Sequence, residues 1–200
     1  MDFETLFGDQ RLMAILRGMP PDETVALATR LWDAGVTVLE IPIATPDAVG
    51  SLRAAVAAGR DRGLRVGAGT VITPEQAGTA AAAGAAYTVA PGLDLTVLAA
   101  SLAAGLPHLP GVGTASEVQR ARAAGCRWQK AFPAKPLGSG WISALHGPFP
   151  DVRFVATGGL SVADVRPFLT AGASVVALGA ALADPSQLDE IGHLLTARRP

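Results

Sequence analysis

The stretch Pro20-Pro-Asp-Glu-Thr-Val-Ala-Leu-Ala-Thr-Arg-Leu-Trp-Asp-Ala-Gly35-Val-Thr-Val-Leu-Glu-Ile-Pro-Ile43 holds one complete structural unit. Proline and two acids open it as they open helices: the missing N–H was unsatisfied there anyway, and negative charge meets the positive end of the helix dipole. Ala-, Leu- and Arg-containing turns follow. Ala34-Gly35 closes them, because glycine takes the left-handed conformation past a helix end without a Cβ penalty. Residues 36–41, mostly apolar, then read as a strand.

The unit recurs. Ala-Gly returns at Ala83-Gly84, Ala104-Gly105, Ala124-Gly125 and Ala171-Gly172, with Arg62-Gly63 playing the same part. Strand-like runs follow these at 64–68, 86–90, 107–112, 126–132 and 174–178, and two more, 12–17 and 152–157, lack the lead-in. Thr73-Pro74-Glu75 reads as a further helix start. Eight strands alternating with helices imply a parallel sheet with right-handed crossovers. Eight units favour a (β/α)8 barrel, one domain over residues 1–200 with a short N-terminal helix, above an open doubly wound sheet. An open sheet would carry a Gly-rich turn after its first strand, and Arg17-Gly-Met-Pro-Pro21 is no dinucleotide fingerprint.

Half of the 200 residues are hydrophobic, enough for a substantial core, and the net charge is −1. The arginines are scattered without a basic run, which argues against a nucleic-acid surface. The single cysteine, Cys126, excludes an intrachain disulfide and fits a reducing compartment. The N-terminus is acidic where a signal peptide would be basic, and no apolar stretch is long enough to span a bilayer; a cytoplasmic protein is expected. His108, His146 and His193 make no ligand spacing with Cys126 or with a carboxylate cluster, so neither a metal nor a cofactor is expected. His108 either points into the barrel or is a hydrogen-bonded core histidine.

Of sixteen cationic side chains only two are lysines, and both fall in Trp128-Gln-Lys-Ala-Phe-Pro-Ala-Lys135. A guanidinium stays protonated, whereas a desolvated amine can lose its proton and attack a carbonyl. Alternation puts Trp128, Lys130 and Phe132 on one face of the sixth strand, with Arg127 and Gln129 on the other. Lys130 is therefore either an imine-forming amine or a chance survivor near a loop. Lys135 follows a Pro-Ala turn as an anion contact or a solvated loop charge. In the second strand Val38, Glu40 and Pro42 share a face. An acid among such neighbours is costly unless paired or protonated, so Glu40 is a proton carrier or the partner of an arginine. Arg17, ending the first strand, is an anion clamp or that partner. Glycine and hydroxyl residues crowd other strand ends: Gly67-Ala-Gly-Thr70, Thr157-Gly-Gly159 and Gly179-Ala180. Loops after the last two strands of a barrel commonly seat phosphate.

These motifs, in this order, resemble the 2-keto-3-deoxy-6-phosphogluconate aldolase family, which includes the 6-phosphogalactonate and 4-hydroxy-2-oxoglutarate aldolases. The resemblance is carried by Ala14-Ile-Leu-Arg-Gly18, Leu39-Glu-Ile-Pro42, Gly67-Ala-Gly-Thr-Val71, Pro110-Gly-Val112, Gln129-Lys-Ala-Phe-Pro-Ala134 and Thr157-Gly-Gly159. It implies a metal-independent class I aldolase, usually trimeric, releasing pyruvate and an aldehyde from a 2-keto-3-deoxy sugar acid of the 6-phosphorylated gluconate or galactonate type. Lys130 would form the imine and Glu40 would carry the proton. Arg17 and Thr70 would meet the carboxylate, beside Phe132 and Thr157. Gly158, Gly159, Gly179 and Ala180 would line the phosphate end. Two positions depart from the phosphogluconate pattern: Ala44 stands where an arginine binds the keto acid, and Ala180 where a serine assists phosphate. The other readings are a different phosphate-binding barrel, such as an isomerase or synthase, and a non-catalytic sugar-phosphate-binding relative.

Overall fold

The computed structural model describes residues 2–183 together with Glu190 and Ile191. His193 and the rest of the C-terminal stretch of the expected domain lie outside the described residues. A five-residue helix α1 (Phe3–Phe7) leads into β1 (Leu12–Ile15), α2 (Pro21–Asp33), β2 (Val38–Pro42), α3 (Ala48–Arg60), β3 (Val66–Gly69), α4 (Pro74–Ala82), β4 (Thr88–Val89), α5 (Leu95–Ala103) and β5 (His108–Leu109). After it come β6 (Gly111–Val112), α6 (Ala115–Ala123), β7 (Trp128–Ala131), α7 (Ala134–Leu137), α8 (Ser139–His146), β8 (Arg153–Thr157), α9 (Val162–Thr170), β9 (Val175–Leu178) and a 3-10 turn at Ala180–Ala183.

The sheet runs β5-β4-β3-β2-β1-β9-β8-β7-β6 with parallel pairing throughout. Its two ends, β5 and β6, are halves of the single run expected at 107–112. The barrel therefore closes through one piece of chain interrupted at Pro110, which has no N–H to give a ladder. The proline carbonyl still accepts the N–H of Lys130 at 2.8 Å. Helix ends follow the sequence signals. At the α2 corner Gly35 has φ 97°, and Val36 N–H reaches back to Leu31 O at 2.9 Å. Thr73 caps α4 in a reciprocal box with Gln76.

Strand alternation divides the apolar residues into two cores. Inward-facing Met13, Ile15, Val38, Tyr87, Val89, Leu109, Trp128, Val155 and Val175 fill the barrel, and Phe3 and Phe7 of α1 join them at one end. The outward set, including Leu39, Ile41, Val66, Phe154 and Val176, packs under the helices. Helix α1 acts as a stopper at the end where the strands begin. Phe7 lies 4.7 Å from the Trp128 ring, centroid to centroid. Glu4 accepts from Trp128 Nε1 at 3.2 Å and pairs with Arg153 at 2.9 Å. Trp32 is a buried residue of α2, and Trp141 stacks edge-on to Phe154 at 5.3 Å, so both pack helices on the barrel. Burial pushes the half-buried Cys126 thiol up to about 11. Among the described residues no helix is long and apolar enough to cross a membrane.

Candidate active site

Strand β7 carries the lysine inward, as alternation requires. Trp128 sits at the floor and Lys130 two residues higher, 4% exposed, between Gly111 of β6 and Val155 of β8 in the strand register. Gln129 faces the opposite way and donates its amide to Val118 O and Cys126 O. Lys130 Nζ lies 5.0 Å from the centroid of the Phe132 ring. Among the described residues it has no hydrogen-bond or ion-pair partner, so its lone pair, once a proton is lost, is uncommitted.

Glu40 on β2 is 1% exposed and its Oε1 has no hydrogen-bond partner. Burial raises its pKa above the ordinary carboxylate value, opposed by the positive charges of Lys130 and Arg17. It makes no ion pair with any described arginine, which removes the structural-partner reading. Two glycines of β3 make room, one for this carboxylate and one for its neighbour Tyr87. A Cβ at Gly69 would overlap the Glu40 carboxylate, and a Cβ at Gly67 would overlap the ring of Tyr87. The Tyr87 hydroxyl donates to Leu39 O at 2.7 Å, bracing the residue before Glu40. Burial holds that hydroxyl protonated, its pKa well above the usual tyrosine value.

A cavity of about 610 Å³ opens at the C-terminal ends of β1, β7, β8 and β9. Lys130, Phe132, Thr157, Gly158, Gly159, Gly179, Ala180 and Arg17 all line it, so the fold gathers most of the expected site from four separate stretches. Glu40 lies outside that lining, its carboxylate filling the inward space that Gly69 leaves. Arg17 is displaced from its expected place on a strand. β1 ends at Ile15, the chain turns at Gly18 (φ 71°), and Arg17 stands exposed at the rim without a partner among the described residues. Thr70 also stands apart from the cavity lining. It holds φ 56°, a left-handed conformation that costs a β-branched residue about 1–3 kcal/mol.

Lys135 belongs to helix α7 rather than a loop, and its Nζ pairs with Asp164 at 2.6 Å. Asp164 escaped the sequence reading, although Ser161-Val-Ala-Asp164 has the spacing of a capping box, a signal that was there to find. The apolar part of the lining, Met19, Leu27, Leu160 and Leu182, carried no such signal, since it comes from helix and loop positions that only the fold brings together. His108 faces outward to α5. Its Nδ1 meets Thr88 Oγ1 at 2.9 Å and Ser101 Oγ at 3.3 Å, and burial lowers its pKa to about 4. It is a core histidine. Among the described residues no three His, Cys, Asp or Glu side chains converge as a metal-binding group.

A parallel barrel with a buried, unpaired amine and a buried carboxylate at its strand ends defines a class of lyase-like barrel, and comparison with known proteins narrows it. The sequence profile of KDPG and KHG aldolases matches residues 4–194. The 2-dehydro-3-deoxy-6-phosphogalactonate aldolase of Escherichia coli K12 is 36% identical over 86% of this chain and 83% of its own. The KHG/KDPG aldolase of the same strain is 37% identical over 86% and 79%. The KDPG aldolase of Legionella pneumophila, solved with pyruvate captured at low pH as a covalent carbinolamine intermediate, superposes with a TM-score of 0.84 at 28% identity, covering 98% of this chain and 97% of that one. The chain belongs to the KDPG/KHG aldolase family.

Proposed function

We infer that the protein is a class I aldolase that cleaves a 2-keto-3-deoxy sugar acid, 6-phosphorylated and of the gluconate or galactonate type, to pyruvate and an aldehyde such as glyceraldehyde 3-phosphate. The observation that carries this reading is the unpartnered Lys130 amine opening into the cavity, in a chain whose relatives include an enzyme holding pyruvate as a carbinolamine. Lys130 attacks the C2 carbonyl of the keto acid, and loss of water from the carbinolamine gives an iminium. Glu40, through a water, takes the proton of the C4 hydroxyl. The C3–C4 bond then breaks, its electron pair moves into the iminium to form an enamine, and the C4 carbon leaves as the aldehyde. Protonation at C3 and hydrolysis release pyruvate and restore the amine.

The orphaned Oε1 and raised pKa of Glu40 suit a group that takes and returns a proton. Arg17 and Thr70 serve the carboxylate end in place of an arginine at Ala44. The amides of Gly158, Gly159, Gly179 and Ala180 receive the phosphate, Ala180 adding a methyl group where a hydroxyl would assist. Phe132 and Thr157 wall the space between. A homotrimer follows from the family resemblance and is checked by light scattering, with three times 20.3 kDa expected. A cytoplasmic location suits a chain with one free thiol.

Borohydride reduction in the presence of pyruvate is the direct test. It should fix a lactyl-type adduct on Lys130, located by peptide mass spectrometry, and Lys130→Arg should give none. An intact enzyme without adduct, or full labelling of the arginine variant, would sink the mechanism. A lactate-dehydrogenase-coupled assay across phosphorylated and unphosphorylated gluconate and galactonate derivatives then ranks the substrates.

A further inference from the structure

Two loops meet at the cavity mouth, and one side chain ties them. The chain leaving Lys130 turns into α7, where Lys135 donates its backbone N–H to Gly158 O at 3.0 Å and its Nζ to Asp164 Oδ1 at 2.6 Å. Its Cβ stands 3.1 Å from where a Cβ on Gly159 would lie. Asp164 in turn accepts the N–H and the hydroxyl of Ser161, both at 2.9 Å, and Ser161 lines the cavity. A continuous series of contacts therefore runs from the loop after Lys130 to the Gly158–Ser161 turn.

That turn needs outside support. Gly158 and Gly159 hold φ values of 106° and 74°, and glycine is too permissive to keep such a shape unaided. Its electrostatics need correction as well. The first turn of α9 presents N–H groups that favour an anion, but the Asp164 carboxylate already occupies that position and repels a second negative charge. An ammonium held against Asp164 offsets the repulsion and pins the turn at once. Lys135 does not line the cavity, so its influence reaches the substrate only through Asp164 and the turn.

We propose that Lys135 is a positioning residue for the anionic end of the substrate, its ion pair with Asp164 fixing the Gly158–Ser161 turn and cancelling the carboxylate beside it. The proposal rests on the aldolase reading with that end seated at the turn. Its test compares Lys135→Met, Lys135→Arg and Asp164→Asn, alone and with Lys135→Met added to Asp164→Asn, on a 6-phosphorylated 2-keto-3-deoxy acid. Borohydride trapping with pyruvate, which has no distal anion to seat, serves as the control.

Lys135→Met should raise KM about tenfold with kcat within about twofold, and leave the pyruvate trapping rate unchanged. Lys135→Arg, which keeps the charge, should return KM to within about twofold of the starting protein, and Lys135→Met should add less than about twofold once Asp164 is neutral. An unchanged KM in Lys135→Met overturns the proposal. So does an equal defect in Lys135→Arg, or a parallel fall in trapping that marks general damage. Absence of trapping in the unaltered protein would instead sink the aldolase reading, which keeps the two failures apart.

Discussion

Among the described residues Glu40 has no hydrogen-bond or ion-pair partner, and that sets both its chemistry and its cost. Burial raises its pKa in the folded protein, so the folded state binds a proton more readily than the unfolded chain does. The sign follows: its contribution to stability is fully present below the ordinary carboxylate value of 4.5 and is lost as pH rises through the raised folded value. Wherever it is ionised, the group is therefore a burden carried for function. Glu40→Gln should melt at a higher temperature than the unaltered protein at pH 7.5, while kcat falls by about 10²- to 10⁴-fold, the usual range for a lost acid–base group. The acid limb of the pH–rate profile should have its midpoint above 4.5 and vanish in the variant. A variant with the same melting temperature and an unshifted acid limb would mean that the carboxylate is neither strained nor the titrating group.

Strand β3 shows what an element does beyond holding its place in the sheet. Its Gly67 and Gly69 face inward and supply empty volume, one filled by the Tyr87 ring and the other by the Glu40 carboxylate. Gly69→Ala should push the carboxylate aside and lower kcat by about 10²-fold, since an ångström of displacement is enough. Gly67→Ala should instead destabilise by about 1–3 kcal/mol through overpacking against Tyr87, with a smaller loss of kcat among the molecules that fold. Urea unfolding and steady-state rates on the two variants separate these effects, and identical behaviour would refute the division of roles. The sequence could not announce this. Gly-Ala-Gly-Thr reads equally well as an anion-binding turn, and the groups that need the space belong to neighbouring strands. The Ala-Gly corners, by contrast, were legible because helix end, glycine and strand are consecutive. Lys130 and Glu40 were legible for a related reason: each is a charge inside an apolar alternation. Pro110 carried a readable warning that its run would break, while the Lys135–Asp164 pair spans 29 positions and appears only once α7 meets α9.

At the scale of the whole molecule, a buried base contributes to behaviour in acid. His108 lies between β5 and α5, with Thr88 and Ser101 on Nδ1 and the charge of Asp94 as its acidic neighbour. Its pKa of about 4 in the folded protein is below the 6.5 of an unfolded chain, so the unfolded state binds the extra proton between those values. The stabilising contribution is present above pH 6.5 and is lost as pH falls through about 4, amounting to about 3 kcal/mol. Melting temperature should drop between pH 6.5 and pH 4, and His108→Gln should flatten that drop; an equally steep loss in the variant would assign the acid sensitivity elsewhere.

The stopper formed by Phe3, Phe7 and Trp128 fills the strand-start end of the barrel, and the cavity beside Lys130 opens at the other. On the proposed seating, pyruvate stays bonded to Lys130 while the aldehyde lies nearer the rim. The aldehyde therefore departs first, and the water that frees pyruvate comes in through the space just vacated. Accumulated aldehyde blocks that lane and keeps the enamine waiting beside an electrophile. The closed floor thus gives the reaction an order of traffic, in which a rising aldehyde level turns cleavage back into carbon–carbon bond formation.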